Sequence, residues 1–235
     1  MVSQCSHDLL EAVDEDDLRE RLIHLWLPKL IDTDFAACNE FSGGVHQRVT
    51  SNISMEEISR VIEPFAALIH EHPCYGPQAD QDVTLPLKIS DFMTRRELHG
   101  LGLYQEVYKH IHTEFQMVMS LKPTRDDMVA LVLSNSRRDY TERDRVVLAL
   151  LQPALQRAYV TMRQRRMLRS LSSRETDVLL WIAQAKTNKE IALILGISPR
   201  TVQKHLESIF TKLGVETRTA AALWAQQCGR LSSRG

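Results

Sequence analysis

The side chains best placed to do chemistry lie late in this 235-residue chain, between Pro199 and Leu213. Arg200, Gln203, Lys204, Glu207 and Thr211 recur at helical spacing, so a guanidinium, an amide, an ammonium, a carboxylate and a hydroxyl share one helix face. A row of that kind recognises a partner through hydrogen bonds and charge. On the opposite face Val202, Leu206, Ile209 and Leu213 follow at intervals of four, three and four, which makes one apolar stripe for a core.

The elements that must position this row can be read from local signals. Ser198 caps the helix, Pro199 occupies its first position, where a missing N–H costs nothing, and Gly214 stops it. Upstream, Ser172 with Glu175 forms a capping box, opening a helix that carries Val178, Leu179, Ile182 and Ala183 on one face. A second box, Thr187-Asn188-Lys189-Glu190, opens a short helix burying Ile191, Ala192 and Leu195, and Gly196 ends it in a left-handed conformation. Two helices joined by a short glycine-containing turn, the second polar on its outer face, describe a helix-turn-helix. A plain helical hairpin with a solvated face has the same spacing and caps.

The length suits two domains, and 43% hydrophobic residues suffice for a sizeable core. No run of about 18 uncharged apolar residues is present, and the acidic start MVSQCSHDLLEAVDEDDL lacks a signal pattern, so a cytoplasmic protein without membrane contact is expected. Cys5, Cys38, Cys74 and Cys228 have neither metal-type nor redox-type spacing and read as reduced thiols. Charge is uneven: from Arg169 to the end, ten Lys/Arg face five Asp/Glu, giving +5, and the whole-chain value of −1 leaves −6 for residues 1–168. A basic tail on an acidic body is the pattern of a nucleic-acid-binding module joined to another domain.

The segment Leu171 to Ala221 resembles the LuxR-type (GerE-type) helix-turn-helix of bacterial regulators, in its elements Leu171–Leu179, Thr187–Ala192, Leu195–His205 and Lys212–Arg218. Ala185 stands where that family has a small glycine, which predicts a changed end to the first helix, and Gln203 stands where a lysine is common. The resemblance implies an all-α domain of four helices over residues 171–235, the third lying in the major groove of double-stranded DNA. Base contacts are then expected from Gln203 to adenine, Lys204 to guanine and Glu207 to cytosine, with Arg200 in either role. Phosphate contacts are expected from Lys189, Thr187, Thr201, His205 and Lys212. Leu213, Val215, Leu223 and Trp224 are expected to form core and to dock the fourth helix. Homodimers on a pseudo-palindromic operator follow, because one module of this size binds weakly.

Residues 1–162 read as an α+β domain. Helices are predicted over Leu9–Ile31 and Ile53–His72, the latter opened by the Ser54/Glu57 box and ended before Pro73. The loop HPCYGPQADQ precedes a strand-like run at Val83–Ile89, and Met117–Leu121 with Met128–Leu133 read as paired strands around Lys122-Pro123. A last helix opens at Thr141 and reaches about Arg166, bent or interrupted at Pro153. Val147, Leu151, Leu155 and Met162 are expected to form a dimerisation seam, joined to the DNA-binding domain by a linker over residues 163–170. The elements His72-Pro73, Ser90-Asp91-Phe92, Leu103-Tyr104-x-x-Val107-Tyr108 and the run from Arg137 to Tyr159 resemble the N-terminal region of LuxR-type regulators with a GAF-like sensor. That resemblance implies a GAF-like or PAS-like antiparallel sheet with flanking helices, and names no ligand.

Other chemistries fit less well. His70, His72 and Cys74, with His99, His110 and His112 further on, suggest metal or haem, but i and i+2 on a helix point apart, and no cofactor is expected. Asp14-Glu15-Asp16-Asp17 follows no apolar strand and so is no phosphoacceptor pocket. No glycine-rich phosphate loop, nucleophile elbow or supported carboxylate pair is present, so an enzyme is not expected. The expected function is a dimeric DNA-binding regulator answering to a small molecule or partner, a ligand acting by shifting the population of dimer geometries. The alternatives are a homoserine-lactone-type quorum-sensing receptor, although residues 1–168 hold one tryptophan, Trp26, and a regulator whose N-terminal domain is a protein–protein module.

Overall fold

The computed structural model describes residues 1–75, 85–123 and 127–232, and the chain divides into two compact units, Met1–Val160 and Thr161–Gly235. The first unit opens with α1 (Val2–Leu10) and α2 (Glu15–Glu20), which runs through a π-helical turn, Arg21–Trp26, into α3 (Leu27–Leu30). The single helix expected over Leu9–Ile31 is therefore broken. The chain leaves α1 at Glu11 and restarts at Asp14, whose carboxylate accepts the Asp17 N–H at 2.9 Å. The acidic run is an N-cap and first turn, where carboxylates are favoured by the helix dipole.

Five antiparallel strands follow: β1 (Phe35–Ser42), β2 (Val45–Ser51), β3 (Leu87–Lys88), β4 (Phe115–Leu121) and β5 (Asp127–Asn135). Their order across the sheet is β2-β1-β5-β4-β3. The predicted pair is β4 with β5, in the register Met117↔Leu133, Met119↔Leu131 and Leu121↔Val129. Sequence reading missed the β1–β2 hairpin. Of the run Val83–Ile89 only β3 is strand, Ile89–Asp91 being a 3-10 turn. Val83, Thr84 and residues 76–81 of the expected loop lie outside the described residues.

Both faces of the sheet carry helices, because the central strands β1 and β5 are buried along nearly their whole length. On one face α4 (Met55–Leu68) packs Ile58 against Phe35 and Ala37, and Val61 joins Val107, Tyr108 and Val132. The Ser54/Glu57 capping box starts α4 as expected. Beside it lie α5 (Arg95–His99) and a π-helical turn, Tyr104–Tyr108. On the other face Arg19 of α2 pairs with Glu40 of β1. There α6 (Glu142–Ser170) holds the sheet through Tyr159 on Cys38, 3.8 Å away, and Gln156 on the backbone of Lys122. This is the antiparallel sheet with flanking helices that the sequence predicted.

Helix α6 runs through Pro153 without interruption and includes residues 163–170. Of the expected dimer seam, Leu151 and Leu155 are 0% exposed and Met162 6%, so these side chains are packed within their own chain and Val147 is half-buried. The apolar residues that α6 exposes are Val146 and Leu150, at 52% and 58%.

The second unit holds α7 (Ser173–Ala183), α8 (Asn188–Leu195), α9 (Pro199–Leu213) and α10 (Arg218–Ser232). Both capping boxes form, and Gly196 and Gly214 take φ of 64° and 62°, the left-handed values that end α8 and α9. Val178, Ile182, Ile191, Val202, Leu206 and Ile209 meet in one core. Burying each contributes about 1.5–3 kcal/mol. Trp224 packs against this core, whereas Leu223 faces outward at 54% exposure. Among the described residues no helix is long and apolar enough to cross a membrane.

Candidate nucleic-acid interface

Helix α9 is fixed from beneath. Its stripe of Val202, Leu206, Ile209 and Leu213 is buried, which turns Arg200, Gln203, Lys204, Glu207 and Thr211 outward, and all five are exposed. The amphipathic reading thus holds residue by residue. Around α9 the packing is completed by polar ties. The Arg174 guanidinium of α7 donates to the Leu195 carbonyl at 2.5 Å, capping the end of α8 ahead of the turn. Glu175 is buried, accepting from Ser208 at 2.6 Å and Lys212 at 2.7 Å, both on α9.

Glu175 is the most perturbed acid of this unit. Burial pushes its carboxyl up, but the Lys212 ammonium and the Ser208 and Ser172 donors hold it at about 2, well below the usual 4.5. The Lys212 ammonium ties α9 to α7 through this carboxylate, while Lys212 itself stays exposed.

The other expected phosphate contacts divide by their local bonds. Lys189 is exposed and, with Arg200 and Lys204, makes no ion pair among the described residues. The Thr187 hydroxyl donates to Glu190 at 2.7 Å within its capping box, so its availability is limited. The Thr201 hydroxyl shares a 2.8 Å hydrogen bond with Ser198, and Thr201 and His205 are half-buried at the edge of the row.

Two residues at this surface escaped the sequence reading. Asn188, the first residue of α8, donates from Nδ2 to Gln203 Oε1 at 3.1 Å, and its Oδ1 accepts from Arg218 Nη1 at 2.8 Å. Arg218 also donates to the Lys186 carbonyl. Gln203 in turn donates from Nε2 to Glu207 Oε1 at 3.2 Å. Both Asn188 and Arg218 stand inside the motifs that carry the family resemblance, but their 30-residue separation hides the pairing.

The first unit contains a cavity of its own. It has a volume of about 50 Å3, partly open to solvent, between β1, β4 and β5 on one side and α4 and the Tyr104–Tyr108 turn on the other. Its walls are mainly apolar, including Phe35, Ile58, Phe65 and Val132, with Asn39, His72, Tyr75, Tyr108 and Gln116 as polar points. Among the described residues no charged side chain lines it: burial drives the His72 imidazole down to about 4, so the ring is neutral at pH 7. His72 Nδ1 accepts the Cys74 N–H at 3.0 Å, which leaves the proton on Nε2 to donate to Gln116 Oε1 at 2.6 Å. Tyr108 donates to the same oxygen at 3.1 Å, and Gln116 Nε2 donates to Ser134 at 3.1 Å. The buried Tyr75 hydroxyl lies beside the Asn39 side chain. His70 is not in this group, and His99 bonds Glu114 at 2.9 Å instead, so the histidines noted in sequence do not converge.

Comparison with known proteins covers the two units unequally. Residues 169–225 match the family model described as bacterial regulatory proteins, luxR family. The transcriptional regulatory protein YhcZ of Bacillus subtilis strain 168, itself called uncharacterized, is 53% identical over 55 residues, 23% of this chain and 26% of YhcZ. The chain thus spans about a quarter of the length of the curated relatives it matches. Over 97% of this chain and 96% of the other, the fold is similar to that of SdiA of Escherichia coli, with a TM-score of 0.56 at 18% identity. A structure titled SdiA in complex with octanoyl-rac-glycerol gives a TM-score of 0.54 at 19% identity, over 95% of this chain and 93% of that one.

Proposed function

We propose that this chain is a sequence-specific DNA-binding transcriptional regulator, acting as a homodimer, whose N-terminal unit takes a small uncharged effector. The observation that carries the reading is the exposed row of Arg200, Gln203, Lys204 and Glu207 on a helix pinned from below, within the stretch that matches the luxR family model. A third helix of that shape fits the major groove, where paired donors and acceptors read base edges. Lys189, Arg200 and Lys204 supply the cations for phosphates, and Thr201 and His205 border them. Lys212 is left out of that set, its ammonium being tied to Glu175.

The N-terminal unit serves as a sensor of the GAF-like or PAS-like kind, with the cavity as its effector site. Walls that carry no charge among the described residues and only a few hydrogen-bonding points suit an uncharged, mainly apolar molecule carrying one or two acceptors. The Tyr75 hydroxyl, beside Asn39 in this wall, supplies a donor for such an acceptor. Acylglycerols and homoserine-lactone-type signals both belong to this class. A dimer contact on α6 uses its exposed Val146 and Leu150, since Leu151 and Leu155 are buried in the monomer.

Selection of random duplex DNA by the full-length protein tests the first half of the proposal. Enrichment of a pseudo-palindromic site is the expected outcome, and recovery of unenriched DNA overturns it. Calorimetric titration with octanoyl glycerol and with an acyl homoserine lactone tests the second. Binding by wild type, abolished when Ala37→Trp fills the cavity, is expected; binding untouched by that substitution places the effector elsewhere.

A further inference from the structure

We infer that Gln203 is the base reader of the recognition row and that Asn188 and Glu207 are positioning residues, which fix its amide in the orientation that reads adenine. The inference rests on the DNA-binding reading above, and it assigns Glu207 a role different from a contact with cytosine.

The orientation follows from the charged groups at the two ends of the chain of bonds. Arg218 has donors and no acceptor, so the Asn188 atom facing it at 2.8 Å is the carbonyl oxygen. The Asn188 nitrogen therefore points the other way and donates, and the Gln203 atom that meets it at 3.1 Å is Oε1. That leaves Nε2 facing Glu207, an ionised carboxylate that only accepts, at 3.2 Å. A donor-only group at one end and an acceptor-only group at the other thus set both amides. Arg218 is itself anchored by the Lys186 carbonyl.

In this arrangement Gln203 uses one lone pair of Oε1 and one N–H of Nε2, and one of each remains. An acceptor and a donor side by side on one amide match the N6 amino group and N7 of adenine in the major groove. Because the side chain is held before DNA arrives, less rotamer freedom is lost on binding, so discrimination against the wrong base is sharper. Glu207, with one carboxylate oxygen engaged by Gln203 and one helical turn further on, acts through its neighbour.

The test is in vitro selection followed by affinity measurement on single-base variants of the selected site, using full-length wild type, Asn188→Asp, Glu207→Ala and Glu207→Gln. Asn188→Asp keeps an acceptor for Arg218 but removes the donor that faces Gln203, so a purely structural Asn188 would tolerate it. Glu207→Gln keeps an oxygen that accepts from Gln203, whereas Glu207→Ala does not. Removal of a good bidentate contact costs roughly tenfold or more in base preference, and loosening it should cost about three- to tenfold. The expected result is that Asn188→Asp and Glu207→Ala lose preference at the same A·T pair while Glu207→Gln resembles wild type. Relaxation by Glu207→Ala at a different base pair, or an unchanged profile for Asn188→Asp, overturns the inference. A wild type that selects no site fails the DNA-binding reading itself, and the inference falls with it.

Discussion

At the scale of single residues, the departures from the family pattern have physical consequences that can be measured. Ala185 holds φ of 60°, a left-handed value, while its N–H bonds Ile182 and the N–H of Lys186 bonds Trp181 to close α7. A Cβ in that region costs about 1–2 kcal/mol, which glycine avoids at the expense of greater freedom in the unfolded chain, about 0.4–1 kcal/mol. Ala185→Gly should therefore raise the stability of the C-terminal unit by about 0.5–1 kcal/mol in a urea titration, and a loss of stability would refute the strain account. Lys212 offers a sharper case. Removing it leaves the buried Glu175 carboxylate short of a charged donor, so Lys212→Met should destabilise the unit by about 1–3 kcal/mol. The pH dependence has a definite sign. The folded carboxyl is held at about 2 and the unfolded one near 4.5, so its stabilisation is complete above pH 4.5 and is lost as pH falls toward 2. In Lys212→Met that acid-dependent loss should shrink, as thermal melts between pH 2 and 5 would show. The residue types of this tie are legible in the sequence, but the pairing is not, because Lys212 and Glu175 stand 37 positions apart.

At the scale of elements, legibility follows the range of the signal. The caps of α7, α8 and α9 and the four-three-four stripe of α9 depend on residues within one or two turns, and the structure reproduces them closely. The β1–β2 hairpin was missed for an opposite pair of reasons. Strand β1 is buried on both faces, so FAACNEFS shows no alternation, and edge strand β2 exposes VHQRVTS, which is too polar to announce itself. The cavity was equally invisible, since its walls come from β1, β4, β5 and α4, elements far apart in sequence. Helix α6 carries one clear energetic cost. Pro153 cannot donate to the carbonyl of Ala149 and crowds it, and it stays in an uninterrupted helix only because Leu151 and Leu155 on the same helix are fully buried. Pro153 is exposed, so its loss removes little packing. Pro153→Ala should stabilise the full-length protein by about 1–3 kcal/mol, part of the interior-proline cost being offset by the freer unfolded chain. An unchanged or lower urea midpoint would show that the helix has already adapted around the ring.

At the scale of the molecule, the separation of charge becomes a prediction about salt. The acidic stretch 1–168 carries −6 and the basic tail +5, so attraction to a polyanion comes from the C-terminal unit. Not every cation there contributes. Lys212 is bound to Glu175, Arg174 to the Leu195 carbonyl and Arg218 to Asn188, and each is part of the unit's own architecture. On the helix-turn-helix surface Lys189, Arg200 and Lys204 are exposed without an ion pair among the described residues, as are Arg165 and Arg169 near the end of α6; the three on the helix-turn-helix make six in the proposed dimer. Each phosphate neutralised on duplex DNA adds about −0.9 to the slope of log K against log salt, so six give a slope of about −5. Lys189→Gln removes one contact in each copy and should flatten the slope by about 2, equally for all sequences, because phosphates carry no base information. Lys212→Met should leave the slope unchanged under conditions where the variant is folded, which separates its role from that of Lys189 in one titration series. A wild-type slope of about −2 to −3 would instead mean that a single module binds, and the dimeric operator would have to be given up while base reading by α9 stood.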